Sequence, residues 1–381
     1  MKARYAKARA RALRAAKTWV LDVFCFCGGA RLLRWLSRRG FPRAVRVLYC
    51  HDILPPGAHG LRAPGSLDAD ELERRLRHLQ RHYGFVSIEQ ALPRLRGEQA
   101  GGGIPVLLTF DDGYRSFAEQ VHPVVRRLRI PVALFVTTAA VGGSGIWSDD
   151  VHHALPCPSL ATLELPRSGR ALKLGTAGSR ARAAEELVAE LKLIPDRERR
   201  RIVRELCERA GSQADRSRRM LTWDELRRLS RDGLITVGSH TMTHPILSRM
   251  GEQEAEREIR ESKHELEREL GVPVTALSYP NGCREDFTEQ CERAAAGAGY
   301  RIAFSTMGGV AHPRCDLYAV PRGCLARERW SRFVLQMAGM DELIARARSI
   351  LRRRSSAGGA DAVAAESSLR PSSVAGDLGE P

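Results

Sequence analysis

Two short segments carry the residue types that hydrolytic chemistry needs. Leu108-Thr-Phe-Asp-Asp-Gly-Tyr114 places two carboxylates side by side before a glycine, and Gly238-Ser-His-Thr-Met-Thr-His-Pro245 places two imidazoles four residues apart. One carboxylate with two histidines is a ligand set suited to zinc and other late first-row divalent ions, and it leaves positions open for water and substrate. The second carboxylate is then free to act as a base toward water acidified by the ion. Each segment alone has a plainer reading. Asp111 and Asp112 could cap the next helix, and His240 and His244 could be surface residues. Together, each straight after an apolar run, they favour the metal-site reading.

The elements that must position these residues follow from periodicity. Ile104 to Phe110 reads as a buried strand running into Asp111, and Leu234 to Gly238 as one running into His240. Acids at the carboxyl ends of buried strands face the catalytic mouth of a barrel. The histidine spacing predicts a helical turn with both rings on one side. Further strands are expected at 45–50, 85–88, 131–136, 274–279, 300–305 and 317–321. Helices are expected after the capping pairs Asp68/Glu71 and Thr222/Glu225, over 116–128, 251–270 and 286–297, and from 329 to 353. About seven or eight strands joined through helices imply an α/β fold with parallel pairing, either a (β/α) barrel or an open doubly wound sheet. The rhythm breaks over 137–221. A small hairpin and two charged helices there read as an insertion, placed at about 157–221.

The composition is that of a globular protein of 381 residues, 43% hydrophobic and 28% charged. The net charge of +16 is uneven: residues 1–46 hold thirteen Lys or Arg against Asp22 alone, a net +12. Such an arm suits an anionic membrane surface. Nucleic-acid binding is not expected, because the rest of the chain is close to balance and the arm lacks interleaved recognition aromatics. The apolar run at 18–30 is 13 residues long and contains Asp22. That is too short to span a bilayer and too interrupted for a signal peptide. Nine cysteines without a C-x-x-C pair fit reduced thiols. The expected location is cytoplasmic, peripheral at the inner face of the membrane. Residues 1–42 read as a basic amphipathic segment, 43–354 as the catalytic domain, and 355–381 as a disordered tail rich in Ser, Ala and Gly.

With these motifs the chain resembles the polysaccharide deacetylase family, the NodB-homology or carbohydrate esterase family 4 group. Thr109-Phe-Asp-Asp-Gly113 is similar to its first motif and Ser239-His-Thr-Met-Thr-His-Pro245 to its second, with a weaker likeness from about Val45 to Gly339. The resemblance implies a distorted (β/α) barrel of about seven strands and metal-dependent removal of N-acetyl groups from a carbohydrate. It implies Asp111 as base, and Asp112, His240 and His244 as ligands of one divalent ion, zinc being the expected one. The third motif is present as Tyr279-Pro280-Asn-Gly282 without its Arg. Tyr279 and Pro280 are then expected to line the substrate pocket, with the Tyr279 N–H helping to hold an oxyanion. Arg322, after Pro321 at the end of the last expected strand, is the substitute partner for Asp111. Ile146-Trp-Ser-Asp-Asp150 resembles the fourth motif. It offers Trp147 as a sugar-stacking wall and Asp149 or Asp150 as a contact to the sugar or to a basic side chain. The fifth motif, Leu-x-x-His, is absent, which leaves His51, His152, His153 and His312 as candidate proton donors. Its absence also admits a second reading, a catalytically impaired glycan-binding or scaffold barrel at the membrane surface.

Overall fold

Seven short strands, each nearly all apolar, set the architecture. The computed structural model describes residues 20–41, 43–57, 67–99, 102–143, 145–211, 219–326 and 329–349. The main sheet contains β1 (Arg46–Cys50), β2 (Val106–Phe110), β3 (Val132–Val136), β4 (Ile235–Ser239), β5 (Ala276–Ser278), β6 (Ile302–Phe304) and β7 (Gly323–Cys324). All neighbours are parallel, in the order β6-β5-β4-β3-β2-β1-β7. Every residue of β2 and β3 is buried, as expected where both faces of a parallel sheet are covered. The sheet curls, so that this is the barrel of the expected class.

The two edges of the curled sheet are bridged by one stretch of chain. Leu317 and Val320 are hydrogen-bonded to β6: the Ala303 N–H donates to Leu317 O at 2.7 Å and the Ser305 N–H to Val320 O at 2.9 Å. Gly323 and Cys324 pair instead with β1. Of the last strand expected at 317–321 only Val320 bridges to β6, 317–319 being a turn, and the strand that serves the opposite edge lies beyond it at Gly323–Cys324. Pro321 sits between the two, where it has no N–H to continue a ladder. Arg322 lies in the joint.

Side chains alternate along a strand, so Leu107, Thr109 and Asp111 share one face. Leu107 packs into a buried cluster with Val47, Ala133, Phe135, Ala276 and Phe304, which fills the barrel below the site. A β-carbon on Gly238 would lie 2.5 Å from the Phe135 ring, so that strand needs glycine to admit the ring.

Thr222 and Glu225 form the expected capping box, and Gly271 ends helix Glu252–Leu270 in the left-handed conformation. Asp68 caps helix Ala69–His82 by accepting from the Glu71 N–H. The insertion has its own core and starts earlier than expected. Helices Trp147–Ala154, Ala177–Leu191 and Asp196–Ala210 pack with the hairpin Thr162–Glu164/Ala171–Lys173 around Val151, Leu163, Leu187 and Leu206.

Phe41–Arg329 forms one compact unit. The described residues 20–40 and 330–349 form another. The second unit holds helices Gly29–Gly40 and Trp330–Met337 and a helical stretch at 340–349; the helix expected from 329 is thus broken at Gly339 (φ 96°) and groups with the N-terminal segment and not with the barrel. Among the described residues, no helix is long and apolar enough to cross a membrane. The expected tail at 355–381 lies outside the described residues, as do 1–19 of the basic arm.

Candidate active site

Asp111 points from the end of β2 into the barrel, where Arg322 holds it. Arg322 Nη1 donates to Asp111 Oδ1 at 2.8 Å and Nη2 to Asp111 Oδ2 at 2.7 Å. The remaining N–H groups go to Thr109 Oγ1 (2.9 Å), Ser278 Oγ (2.7 Å) and Ser305 O (3.0 Å). All five guanidinium donors thus have acceptors, although Arg322 is wholly buried beside the Tyr49, Phe135 and Phe304 rings. Burial pushes the Asp111 carboxyl up. The Arg322 guanidinium and the His240 ring outweigh it and hold the pKa below the usual carboxylate range. Asp111 is therefore ionised at neutral pH.

Asp112, His240 and His244 form a second cluster beside it. One ligand atom from each lies within 4.8 Å of the others. Both imidazole Nε2 atoms are 3.3 Å from Asp112 Oδ1, which is buried and accepts no hydrogen bond. A buried carboxylate oxygen facing two ring nitrogens is costly unless a cation sits among them, so the donor set fits a divalent ion. His240 Nδ1 lies 2.6 Å from Ser278 O and donates to it, which fixes the tautomer and turns Nε2 toward Asp112. Burial lowers the His244 pKa, helped by His240 and Arg199, and keeps this ring neutral as a ligand must be. At His240 burial acts the same way, but Asp111, Asp112 and the Ser278 carbonyl outweigh it and raise the pKa.

The backbone around this cluster is left-handed at Asp112 (φ 74°), Thr241 (φ 65°) and His244 (φ 56°). Such conformations cost of order 1–3 kcal/mol each in L-residues and persist only where the surroundings impose them. They replace the helical turn expected for the histidines; residues 240–246 are a loop whose two left-handed residues bring both rings to one point. After Asp112 the turn continues through Gly113 (φ 85°), where a β-carbon would press on Val136.

Glu258 and the insertion hold that loop. Buried Glu258 accepts from the Met242 N–H (2.9 Å), the Thr243 N–H (2.9 Å) and Thr243 Oγ1 (2.6 Å). Arg200 donates to Thr243 Oγ1 at 2.9 Å and is held in turn by Asp196. Glu258→Ala is expected to lower unfolding free energy by about 1–3 kcal/mol, because three donors lose their acceptor. It should also raise the dissociation constant for a divalent ion by about 10–100-fold, as loss of a ligand-orienting partner does. Chelator competition reads the second effect, and an unchanged constant would remove Glu258 from the support of the site.

The structure relocates three residues of the sequence reading. Tyr279 is fully buried and stacked on Phe287 at 4.2 Å, and its N–H donates to Phe304 O at 3.0 Å. That N–H belongs to the β5–β6 pairing and is not free for an oxyanion. Pro280 is buried behind it. Trp147 starts a helix and packs in the insertion core with the Arg199 guanidinium 4.7 Å over its ring, so it offers no stacking wall. Asp149 does meet a basic side chain. It accepts from Tyr114 OH at 2.9 Å and lies 3.4 Å from Arg219. Burial lifts it to about 7, with Arg219 opposing and Asp112 adding to the rise. Of the four candidate histidines, His51 is half-buried at the end of β1, its ring edge-on to Tyr49 at 5.4 Å. His152 and His153 are tied to the carbonyls of Ser148 and Asp149, and His312 to that of Pro313. The sequence reading did not single out Ser278, whose hydroxyl meets Arg322 and whose carbonyl meets His240.

A family profile described as polysaccharide deacetylase matches residues 99–303, more than half of the chain. The chain belongs to the polysaccharide deacetylase family. YxkH of Bacillus subtilis (strain 168), whose name places it among polysaccharide deacetylases, is 28% identical over 102 residues. That match covers 27% of this chain and only 35% of YxkH, about a third of the relative's length. The fold is similar to the Streptococcus pyogenes deacetylase PplD, solved with acetate, at a TM-score of 0.52 and 17% identity. The superposition covers 77% of this chain and 98% of PplD. It is similar also to IcaB from Ammonifex degensii, at 0.51 and 18% identity, covering 77% and 96%. At these identities the likeness concerns the polysaccharide deacetylase fold.

Proposed function

We propose that this chain is a divalent-metal-dependent hydrolase that removes the N-acetyl group from a sugar of a polysaccharide or glycan intermediate. The observation that supports it most is the junction at Ser278, which ties the Arg322-clamped Asp111 to the His240 side of the Asp112/His240/His244 cluster. Asp112, His240 and His244 would hold the ion, and a two-imidazole, one-carboxylate set suits zinc. A divalent ion bound there supplies Lewis acidity toward the acetamide carbonyl and lowers the pKa of its water.

The chain's own residues supply the rest. Asp111 Oδ2 accepts from both Arg322 and Ser278 Oγ, whereas Oδ1 accepts from Arg322 alone and keeps a lone pair, with which Asp111 takes a proton from the attacking water. The new C–O bond forms at the carbonyl carbon. When the C–N bond breaks, the amine nitrogen needs a proton, and His51, at the end of β1, is the candidate donor. The products are acetate and a free amino sugar. Nine free cysteines accord with action in a reducing compartment, the cytoplasm.

Acetate release from a panel of N-acetylated glycans, with the metal content of the purified protein measured alongside, tests this reading. Asp111→Asn should lower kcat by about 10²–10⁴-fold, the usual worth of a positioned base. His51→Gln should slow amide hydrolysis far more than hydrolysis of a nitrophenyl acetate, whose leaving group needs no proton. Release of no acetate from any glycan by ion-loaded protein would favour the glycan-binding reading, and an equal effect of His51→Gln on both substrates would remove it as donor.

A further inference from the structure

The unit outside the barrel exposes its large apolar residues. Of ten large hydrophobic side chains exposed among the described residues, seven fall between Val20 and Leu36. They are Val20, Val23 and Phe24, then Phe26 (93% exposed), then Leu32 (54%), Trp35 (50%) and Leu36. Residues 20–26 are helical, Gly28 (φ 88°) makes the turn, and helix Gly29–Gly40 follows. Both triplets have i, i+3, i+4 spacing, so each forms one strip on its helix.

The face that helix Gly29–Gly40 does bury is made of small residues. Gly29, Ala30 and Ser37 are its buried positions, and it packs on helix Trp330–Met337. Gly339 lies so close to Ser37 that no β-carbon would fit there. A globular helix ordinarily turns its large apolar residues inward, and here the arrangement is reversed.

We propose that this strip docks on the surface of an anionic lipid bilayer, with the helix lying in the plane of the interface. Charge selects this occupant. Arg31, Arg34, Arg38 and Arg39 flank the strip, and Arg39 lies 3.9 Å over the Trp35 ring. Tryptophan beside arginine at the edge of an apolar face is the composition of an interfacial anchor. A second copy of the chain would bring one +12 arm against another. Nucleic acid would leave Phe26, Leu32 and Leu36 without apolar contact. The inference does not depend on the hydrolytic reading.

Vesicle flotation of the full chain tests it, with phosphatidylcholine vesicles compared with vesicles that also contain phosphatidylglycerol. Binding should favour the anionic vesicles at least tenfold, since each basic residue near such a surface contributes about fivefold. Raised salt should release the protein. Leu32→Glu/Trp35→Glu, both at exposed positions, should abolish flotation while far-ultraviolet circular dichroism stays unchanged. Absence of flotation, or flotation that the double variant retains, would overturn the proposal. So would a wild-type dimer in light scattering that the variant dissolves without any vesicle binding, because the strip would then cover a second copy.

Discussion

Replacing Arg322 with methionine is expected to lower unfolding free energy at neutral pH by about 3–5 kcal/mol, the cost of leaving one partner of a buried ion pair uncompensated. The side chain is wholly buried, and its loss removes the cation and five donated hydrogen bonds, leaving the Asp111 carboxylate with Ser278 Oγ alone, while Thr109 Oγ1 keeps its bond to Leu48 O. The pH dependence should change sign. In the wild type the Asp111 pKa is depressed, so its contribution is present above the unfolded value of about 3.9 and is lost as pH falls through the folded value. Without the guanidinium, burial acts on Asp111 with only the imidazoles opposing it, and the folded pKa rises. The variant should then lose stability as pH rises through that higher value. Urea unfolding at several pH values measures both effects. The double variant Asp111→Asn/Arg322→Met should recover much of the loss, because it leaves no buried charge unpaired. Arg322→Lys should not restore activity, since an ammonium lacks the planar fork that fixes both oxygens of Asp111. Wild-type stability in Arg322→Met would show that the pair holds nothing together.

The second large effect concerns the Asp112 cluster. At free zinc about a thousandfold above its dissociation constant, the wild type should gain about 4 kcal/mol over the chelated protein. Asp112→Asn should abolish that gain. Under chelation the same variant should be no more stable than the wild type: burial pushes the Asp112 carboxyl up, but the two imidazoles outweigh it and hold it well below the usual carboxylate range, so its charge is compensated even without the ion. Replacing a residue that only served stability would lower both curves and leave the zinc increment intact. The zinc increment should shrink on acidification, since His240 and His244 must be neutral to bind. That decline should begin above the ordinary imidazole range, because the His240 pKa is raised. Denaturant unfolding with and without zinc checks both statements, and identical curves for the wild type would exclude a metal at this cluster.

What the sequence made legible was local. Adjacent carboxylates after one apolar run and paired imidazoles after another name their chemistry by residue type and spacing. The alternation of apolar runs and amphipathic stretches is enough to imply parallel strands. Arg322 could be singled out because it follows Pro321 after an apolar run, and the structure sets its fork on Asp111. The rest depends on contacts between distant segments. Ser278 is an ordinary strand serine until β5 comes to lie near β2 and β4. The Tyr-Pro pair suggested a free N–H, yet β6 takes it. Trp147 matched a motif by type, while the helix that it starts turns it into the insertion core. Thr has no local preference for positive φ and that of His is far weaker than that of glycine, so 240–246 did not announce two left-handed turns. Glu258 and Arg200 looked like ordinary members of charged helices, and only the docking of those helices on the loop gives them a task.

The position of Arg322 and β7 so late in the chain has a consequence for how the protein is made. The ligand set closes at His244, but the clamp on the base waits for residue 322, and β7 then pairs with β1 across most of the chain. At about 5–20 residues per second, translation separates these two moments by on the order of ten seconds. Glu258 and the Ser278 carbonyl, which position the histidines, also come after His244, so the ion-binding triad is held only once β5 is made, still ahead of the clamp on its base. The step that seats Arg322 also joins the two edges of the sheet, so hydrolytic competence and barrel completion arrive together. Under the proposed reading, an unfinished chain lacks a fixed base and does not deacetylate.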